Sequence, residues 1–212
     1  RGAFAALKNG KVITWGSSSH GGNSSGVDLK KDVKEIYSTG YAFAALKDDG
    51  SVVTWGLSWY GGDSSEVDLK KNVKEIYSTE SAFAALKDDG SVVTWGNNDW
   101  GGNSSSVDLE NVKEIYSTDF AFAALKDDGS VVTWGSSSHG GNSSGVDLNN
   151  VKEIYSNKDA FAALKDDGSV VTWGNNDMGG NSNDVNLKNV KEIYSTINAF
   201  AALKDDGSVV TW

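Results

Sequence analysis

Apolar positions fall into two kinds of run that recur along the whole chain. Ala42 to Leu46 is uninterruptedly apolar, whereas Ser51 to Trp55 is rich in β-branched residues and ends in Trp. Both are strand signals. A run without polar alternation predicts that both faces of the first strand are buried. Between the two, Asp48-Asp49-Gly50 fits a three-residue hairpin loop, with Gly supplying the positive φ that other residues resist. The first copy reads Lys8-Asn9-Gly10-Lys11 and is one residue shorter. Asn-Gly is the favoured two-residue hairpin turn, so both versions predict the same hairpin.

That hairpin returns with its Phe at Phe4, Phe43, Phe83, Phe122, Phe161 and Phe200, at spacings of 39, 40, 39, 39 and 39 residues. Self-similarity at a fixed period of this size means an array, solenoid or propeller. The units lie near 1–40, 41–80, 81–119, 120–158 and 159–197, with a partial sixth at 198–212, within a single repeat domain over 1–212. Arg1 falls inside the motif, and Trp212 stops one residue before the Gly that follows the other five Trp. The chain therefore reads as a segment of something longer. Small side chains at Ala42, Ala44 and Ala45 suit close convergence of neighbouring units. Trp15, Trp55, Trp95, Trp134, Trp173 and Trp212 are expected to wedge between units as core, not to stand out as stacking platforms.

After each hairpin the step from Trp to the Leu of a Val-x-Leu triplet is 14 residues, as from Trp55 to Leu69. Its middle is a Gly pair such as Gly61-Gly62, followed by small polar residues. Constant length predicts an ordered connection with its own hydrogen bonds. Next comes Val33-Lys34-Glu35-Ile36-Tyr37-Ser38-Thr39, repeated from Val73, Val112, Val151 and Val190. Its Val, Ile and Tyr fall at i, i+3 and i+4, which also suits a helix. The segment is short and ends in Ser-Thr, so a third strand is preferred, with Val and Ile inward. Just before it, Lys30-Lys31-Asp32 shrinks to Glu110-Asn111 in later copies, which places that joint at the surface.

Composition narrows the function classes. The formal charge is −10, which argues against a nucleic-acid backbone or an anionic membrane as partner. No apolar run approaches the roughly 18–20 residues of a membrane span, so membrane insertion is not expected. The chain has no Cys, hence no disulfide framework or thiolate metal site, and no Pro. Acidic pairs from Asp48/Asp49 to Asp205/Asp206 cap the hairpin tips. Arranged around an axis they would form one acidic rim, read as solubility and turn protection ahead of cation binding.

The string Ala-Leu-Lys-Asp-Asp-Gly-Ser-Val-Val-Thr-Trp-Gly, then a Gly-containing polar loop, then Val-x-x-Ile, resembles the repeat of the regulator of chromosome condensation family. The resemblance covers five complete units and a sixth hairpin. It implies a β-propeller of about four strands per blade; an open superhelical β array is the alternative. The period is about ten residues shorter than the family's usual repeat, nearer that of WD-type blades. The best-known member exchanges nucleotide on a small GTPase and docks on chromatin, through loop residues that have no match here. What the resemblance transfers is the fold.

Catalysis needs convergent unlike residues, whereas near-identical repeats set the same residue in every unit. His20 and His139 are the two histidines, three repeats apart, and the Gly-Gly-Asn-Ser-Ser loop lacks the Lys of a phosphate-binding loop. No enzyme, cofactor or metal is expected. The informative positions are those that vary. One set precedes the Gly pair, from Ser17–His20 to Asn175–Met178; the other is the turn before the Phe strand, from Gly40-Tyr41 to Ile197-Asn198. They carry Tyr41, Trp59, Tyr60, Trp100, Phe120 and Met178, together with His20 and His139. Aromatics grouped in loops are a recognition signature for proteins or sugars. Tucking against the next blade is the competing explanation.

These observations lead to a non-enzymatic repeat scaffold whose loops contact other proteins or copies of itself, as in a cell-surface or structural assembly. A multivalent carbohydrate-binding propeller of lectin type, contacting glycans, is the alternative. Regulation of a small GTPase is what family analogy alone would add. Trp59, Trp100, His20 and Met178 are read as one variable loop position, which favours the scaffold over identical sugar pockets. Asn23, Asn103 and Asn142 each begin Asn-Ser-Ser, a glycosylation acceptor pattern that points to an extracellular location.

Overall fold

The computed structural model describes residues 2–212. They form seventeen β-strands and five short 3-10 turns. The first sheet pairs β1 (Ala3–Lys8) with β2 (Lys11–Gly16). The next five are three-stranded and antiparallel, each with the Ala-Phe-Ala-Ala-Leu strand in the middle. They comprise β3 (Val33–Ser38), β4 (Ala42–Lys47) and β5 (Val52–Gly56); β6 (Val73–Ser78), β7 (Ala82–Lys87) and β8 (Val92–Gly96). After these come β9 (Val112–Ser117), β10 (Ala121–Lys126) and β11 (Val131–Gly135); β12 (Val151–Ser156), β13 (Ala160–Lys165) and β14 (Val170–Gly174). The last sheet holds β15 (Val190–Ser195), β16 (Phe200–Lys204) and β17 (Val209–Thr211). The chain divides into two compact units, Arg1–Ser105 and Ser106–Trp212.

Turn chemistry sets each hairpin as the residues predict. Asn9 and Gly10 both take positive φ, 52° and 73°, the signature of a two-residue primed turn joining β1 to β2. In the longer copies Gly50 lies at φ 75°, and the Lys47 and Ser51 backbones close the loop with a 2.8 Å bond. The second Asp has a local task here. Asp49 Oδ1 accepts from the Ser51 amide at 2.9 Å and from its hydroxyl at 2.6 Å.

The Val-Lys-Glu-Ile segment is a strand, and a bulge reconciles its helix-like spacing with that state. Val73 sits opposite Lys87 and Glu75 opposite Leu86, so Lys74 is the extra residue. One extra residue lets Val73 and Ile76, three apart, both point inward. They are 5% and 2% exposed, while Lys74 and Glu75 face solvent. The same skip recurs at Lys34, Lys113, Lys152 and Lys191. Ahead of it the variable joint is exposed, as expected, and turns at a left-handed Asp or Asn such as Asp32 (φ 60°) or Asn111 (φ 56°). Asn and Asp tolerate that conformation better than other side chains.

Burial follows from these pairings. In the first unit Ala42, Ala44, Leu46 and Val52 on one hairpin face Phe83, Ala85 and Trp95 on the next, with Leu69, Val73 and Ile76 between them. In the second unit Ala121, Ala123 and Leu125 face Phe161, Ala163 and Trp173 across Leu148, Val151 and Ile154. Both faces of β7, β10 and β13 are therefore buried, as an unalternating run requires.

The Trp wedges need one correction. Trp55, Trp95, Trp134 and Trp173 are 3–5% exposed and Trp212 is half-buried, but Trp15 is 50% exposed. Trp55, Trp95, Trp173 and Trp212 each donate Nε1 to a Gly carbonyl in the loop of the repeat before, and no described segment covers β1 and β2 in that way.

Candidate recognition face

The loop that carries the variable residues is rigid, and its Gly pair is the reason. In the third repeat Trp95 stacks on Phe83 with centroids 5.1 Å apart, and its Nε1 donates to the Gly61 carbonyl at 3.0 Å. A Cβ on Gly61 would stand 2.6 Å from the Phe83 ring, at a φ of 93°. Only glycine satisfies both the close approach and the left-handed backbone. Gly62 lies equally close to the backbone of Gly56, where a Cβ would meet atoms at 2.5 Å. Its amide donates to the Leu57 carbonyl at 3.0 Å, closing the 3-10 turn Ser58–Tyr60. Thr54 Oγ1 then donates to the Gly62 carbonyl and shares a hydrogen bond with Ser64. The loop is ordered, as its constant length predicts.

The two variable sets meet in space. In the first unit Tyr41 lies between His20 and Tyr60, with ring centroids 4.5 Å and 4.4 Å away. In the second unit Phe120 meets His139 edge-on at 4.5 Å. On its other side His139 Nε2 lies 3.5 Å from the buried Asp159 Oδ1. A residue ending a 3-10 turn thus packs against turn residues of its own and the following repeat. A tether that recurs from repeat to repeat fixes the end of the 3-10 turn. Thr39 Oγ1 donates to the Tyr60 carbonyl at 3.0 Å, Thr118 Oγ1 to that of His139 at 3.1 Å, and Asn157 Nδ2 to that of Met178 at 2.6 Å.

Trp59 stands apart from this line. It precedes Tyr60 in the 3-10 turn Ser58–Tyr60, whereas Trp100 ends Asn98–Trp100. Tyr60, not Trp59, therefore shares a position with Trp100, His20, His139 and Met178, which corrects the one-position reading. The offset also explains exposure. Trp59 is 65% exposed and Tyr41 36%, while Tyr60, Trp100, Phe120, Met178 and both histidines are half-buried. Tucking thus accounts for the half-buried rings that meet in His20–Tyr41–Tyr60 and Phe120–His139, while Trp59 stays open to solvent.

The sequence reading missed Asp159 as a member of this group. Its signal was the turn position it shares with Tyr41 and Phe120, all before a Phe strand. Serines also surround both histidines. Ser136 and Ser138 hydroxyls lie 2.8 Å and 2.9 Å from His139 Nδ1, and Ser17 and Ser19 lie 3.0 Å from His20 Nδ1. The Ser–His contact recurs at His20, where the turn residue is Tyr41 and no Asp is present. It belongs to the construction of the 3-10 turn and is not tied to a Ser-His-Asp relay. Among the described residues no group of three or more His, Cys, Asp or Glu could hold a metal ion.

No family model matches the chain, and no curated protein does. Solved structures do resemble it. Prp20p from Saccharomyces cerevisiae, described with its binding to Gsp1p and histones, is 18% identical, with a TM-score of 0.58 over 100% of this chain and 69% of that one. Yeast RCC1 (Prp20) bound to Kap60 gives 18% identity and a TM-score of 0.59, over 100% of this chain and 68% of that one. The CRINKLY WD40 ectodomain of the Arabidopsis thaliana receptor kinase ACR4 is 16% identical, with a TM-score of 0.54 over 100% of this chain and 77% of that one. The fold is thus an all-β array of RCC1-like propeller blades.

Proposed function

We propose that the chain is a non-enzymatic repeat scaffold that binds other proteins through the face formed by its 3-10 turns and the turns before the Phe strands. The observation that carries this is the tilted His20–Tyr41–Tyr60 cluster, with the exposed Trp59 next to Tyr60 in the same 3-10 turn. Rigid aromatic side chains held on one flank and open on the other suit protein anchoring, because little rotamer entropy remains to be lost on contact. That Prp20p is described with its binding to Gsp1p and histones, and that yeast RCC1 (Prp20) was solved with Kap60 bound, supports a protein partner here. A place in a structural or cell-surface assembly would use this same face, in trans to another protein or to a second copy.

The test pairs Tyr41→Ser with Trp59→Ser and compares the variant with the parent on protein and glycan arrays, with a denaturant melt of each. Aromatic anchors commonly carry about 2 kcal/mol each, roughly thirtyfold in affinity. Protein capture by the parent, lost in the variant at unchanged stability, is the expected result. Capture of glycans alone would move the reading to the lectin class. A large loss of stability with capture unchanged would show the rings to be packing only.

A further inference from the structure

The recognition face of the first unit is charged with one sign. It is built from residues 17–22, 39–41, 57–62, 79–81 and 97–102, which hold Glu80 and Asp99 and no Lys or Arg. The formal charge of the whole chain is −10. The aromatic part of the face is the tilted His20–Tyr41–Tyr60 cluster together with Trp59, which is 65% exposed. Aromatic rings carry a negative face, so rings and carboxylates favour the same class of ligand group, a cation.

One carboxylate stands at the rings. The Gly40 amide donates to the Glu80 carbonyl at 2.8 Å, which joins the turn before β4 to the turn before β7. A Cβ on Gly40 would stand 2.8 Å from Glu80 Oε2, so the carboxylate folds over Gly40, the residue before Tyr41. The second unit makes the same joint with different side chains. There the Asp119 amide donates to the Lys158 carbonyl at 2.9 Å, and Lys158 Nζ lies 3.9 Å from Asp119 Oδ2. A carboxylate and a cation thus meet at that joint, both from the chain. In the first unit Gly40 stands where Asp119 does and Glu80 where Lys158 does, so this joint supplies only a carboxylate, with Tyr41 next to it.

We propose that this face takes an arginine side chain of a partner protein, its guanidinium packed on the exposed part of Tyr41 and donating to the Glu80 carboxylate. Trp59 offers a further contact to the same partner segment. Arginine suits the site better than lysine, because its planar fork stacks on an aromatic ring and donates to a carboxylate at once. The inference rests on the face being one of protein recognition and adds the chemistry of the group it recognises.

A peptide Gly-Gly-Arg-Gly-Gly, blocked at both ends and titrated into the isotope-labelled chain, tests this by NMR. Saturable shifts of the Gly40, Tyr41 and Glu80 amides are expected, absent when citrulline, the uncharged isostere, replaces Arg. Tyr41→Ser should weaken the peptide about two- to fivefold, and Glu80→Gln at least as much. Gly40→Lys places a cation in the chain itself, at a position where the second unit carries Asp119, and should block the peptide. Asp88→Asn removes the same unit of charge from an exposed hairpin tip and should leave affinity unchanged. Denaturant melts show that each variant is folded. Equal shifts with the citrulline peptide, equal weakening by Asp88→Asn and Glu80→Gln, or undiminished binding to Gly40→Lys would overturn the proposal. If the Arg peptide never binds while the paired Tyr41→Ser and Trp59→Ser variant still loses protein capture, the arginine falls and the protein face stands. Capture untouched by that variant would remove the face itself, and the arginine with it.

Discussion

Trp95 and Trp15 end equivalent strands, yet one is 4% exposed and the other 50%. Residue type and local sequence are shared, so the difference in their contribution comes from what covers them. Trp95→Ala removes a stacked, hydrogen-bonded ring from the core and should cost about 3–5 kcal/mol in a urea melt. Trp15→Ala should cost less than about 1 kcal/mol, in line with exposed positions. Equal losses would mean that the first hairpin is covered in solution. The acidic tips make a second residue-level point. Asp167 is held below the ordinary carboxyl value of 3.8, first by the Ser169 hydroxyl and then by its amide. A carboxyl lowered on folding stabilises the native state above pH 3.8, and that contribution disappears as pH falls through the lowered value. Ser169→Ala should move the Asp167 titration, followed by carboxyl NMR, up toward the ordinary value; an unmoved titration would assign the whole effect to the amide.

At the scale of the element, hairpins and their turns were legible because Asn-Gly and Asp-Asp-Gly demand particular backbone conformations. The third strand was legible only by its length. Val112 and Ile115 stand three apart, a helix interval, and nothing local announces that Lys113 is passed over in the pairing. Deleting Lys113 therefore leaves Val112 opposite Lys126 and Glu114 opposite Leu125, with both apolar residues still inward. The variant should keep its cooperative melt within about 1 kcal/mol of the parent. Deleting Ala123 from the regular strand β10 should instead reverse Phe122 against its neighbours and abolish that melt. If both deletions unfold the chain, the bulge is itself required. The Gly pair was read as loop chemistry, which holds for its second member, packed on its own loop's backbone, whereas the cause of the first lies in another strand: the Phe ring of the following repeat occupies the space of a side chain. Such a constraint between distant residues is invisible to local pattern.

For the whole molecule, fixed period and near-identity made the architecture readable, and the same uniformity hid the site. Identical positions are explained by packing in every unit, so only the differing ones could carry recognition. Tyr41, Tyr60, Phe120 and His139 were singled out as candidates that way. Their pairing was not, because Tyr41 and Tyr60 belong to separate loops brought together by the blade between them. Asp159 stayed hidden since a lone Asp before a strand looks like any turn. Stability in such an array is close to a sum of unit and neighbour terms, so the loss of one wedge is felt most by the two hairpins it joins.

The lock between a Trp and the Gly carbonyl of the repeat before it is built from the same few letters at Trp55, Trp95, Trp173 and Trp212. That sameness has a kinetic side. Each Val-Lys-Glu-Ile-Tyr-Ser strand finds the identical Ala-Phe-Ala-Ala-Leu edge on every hairpin, so a nascent strand that pairs one repeat too far forms good local contacts and excludes a unit from the stack. Proximity along the chain is then what selects the right partner: the correct hairpin follows its strand after three or four residues, and the next is a full repeat away. Loop closure over so short a connection is fast compared with longer closures. Order of assembly, not side-chain identity, keeps the repeats in sequence.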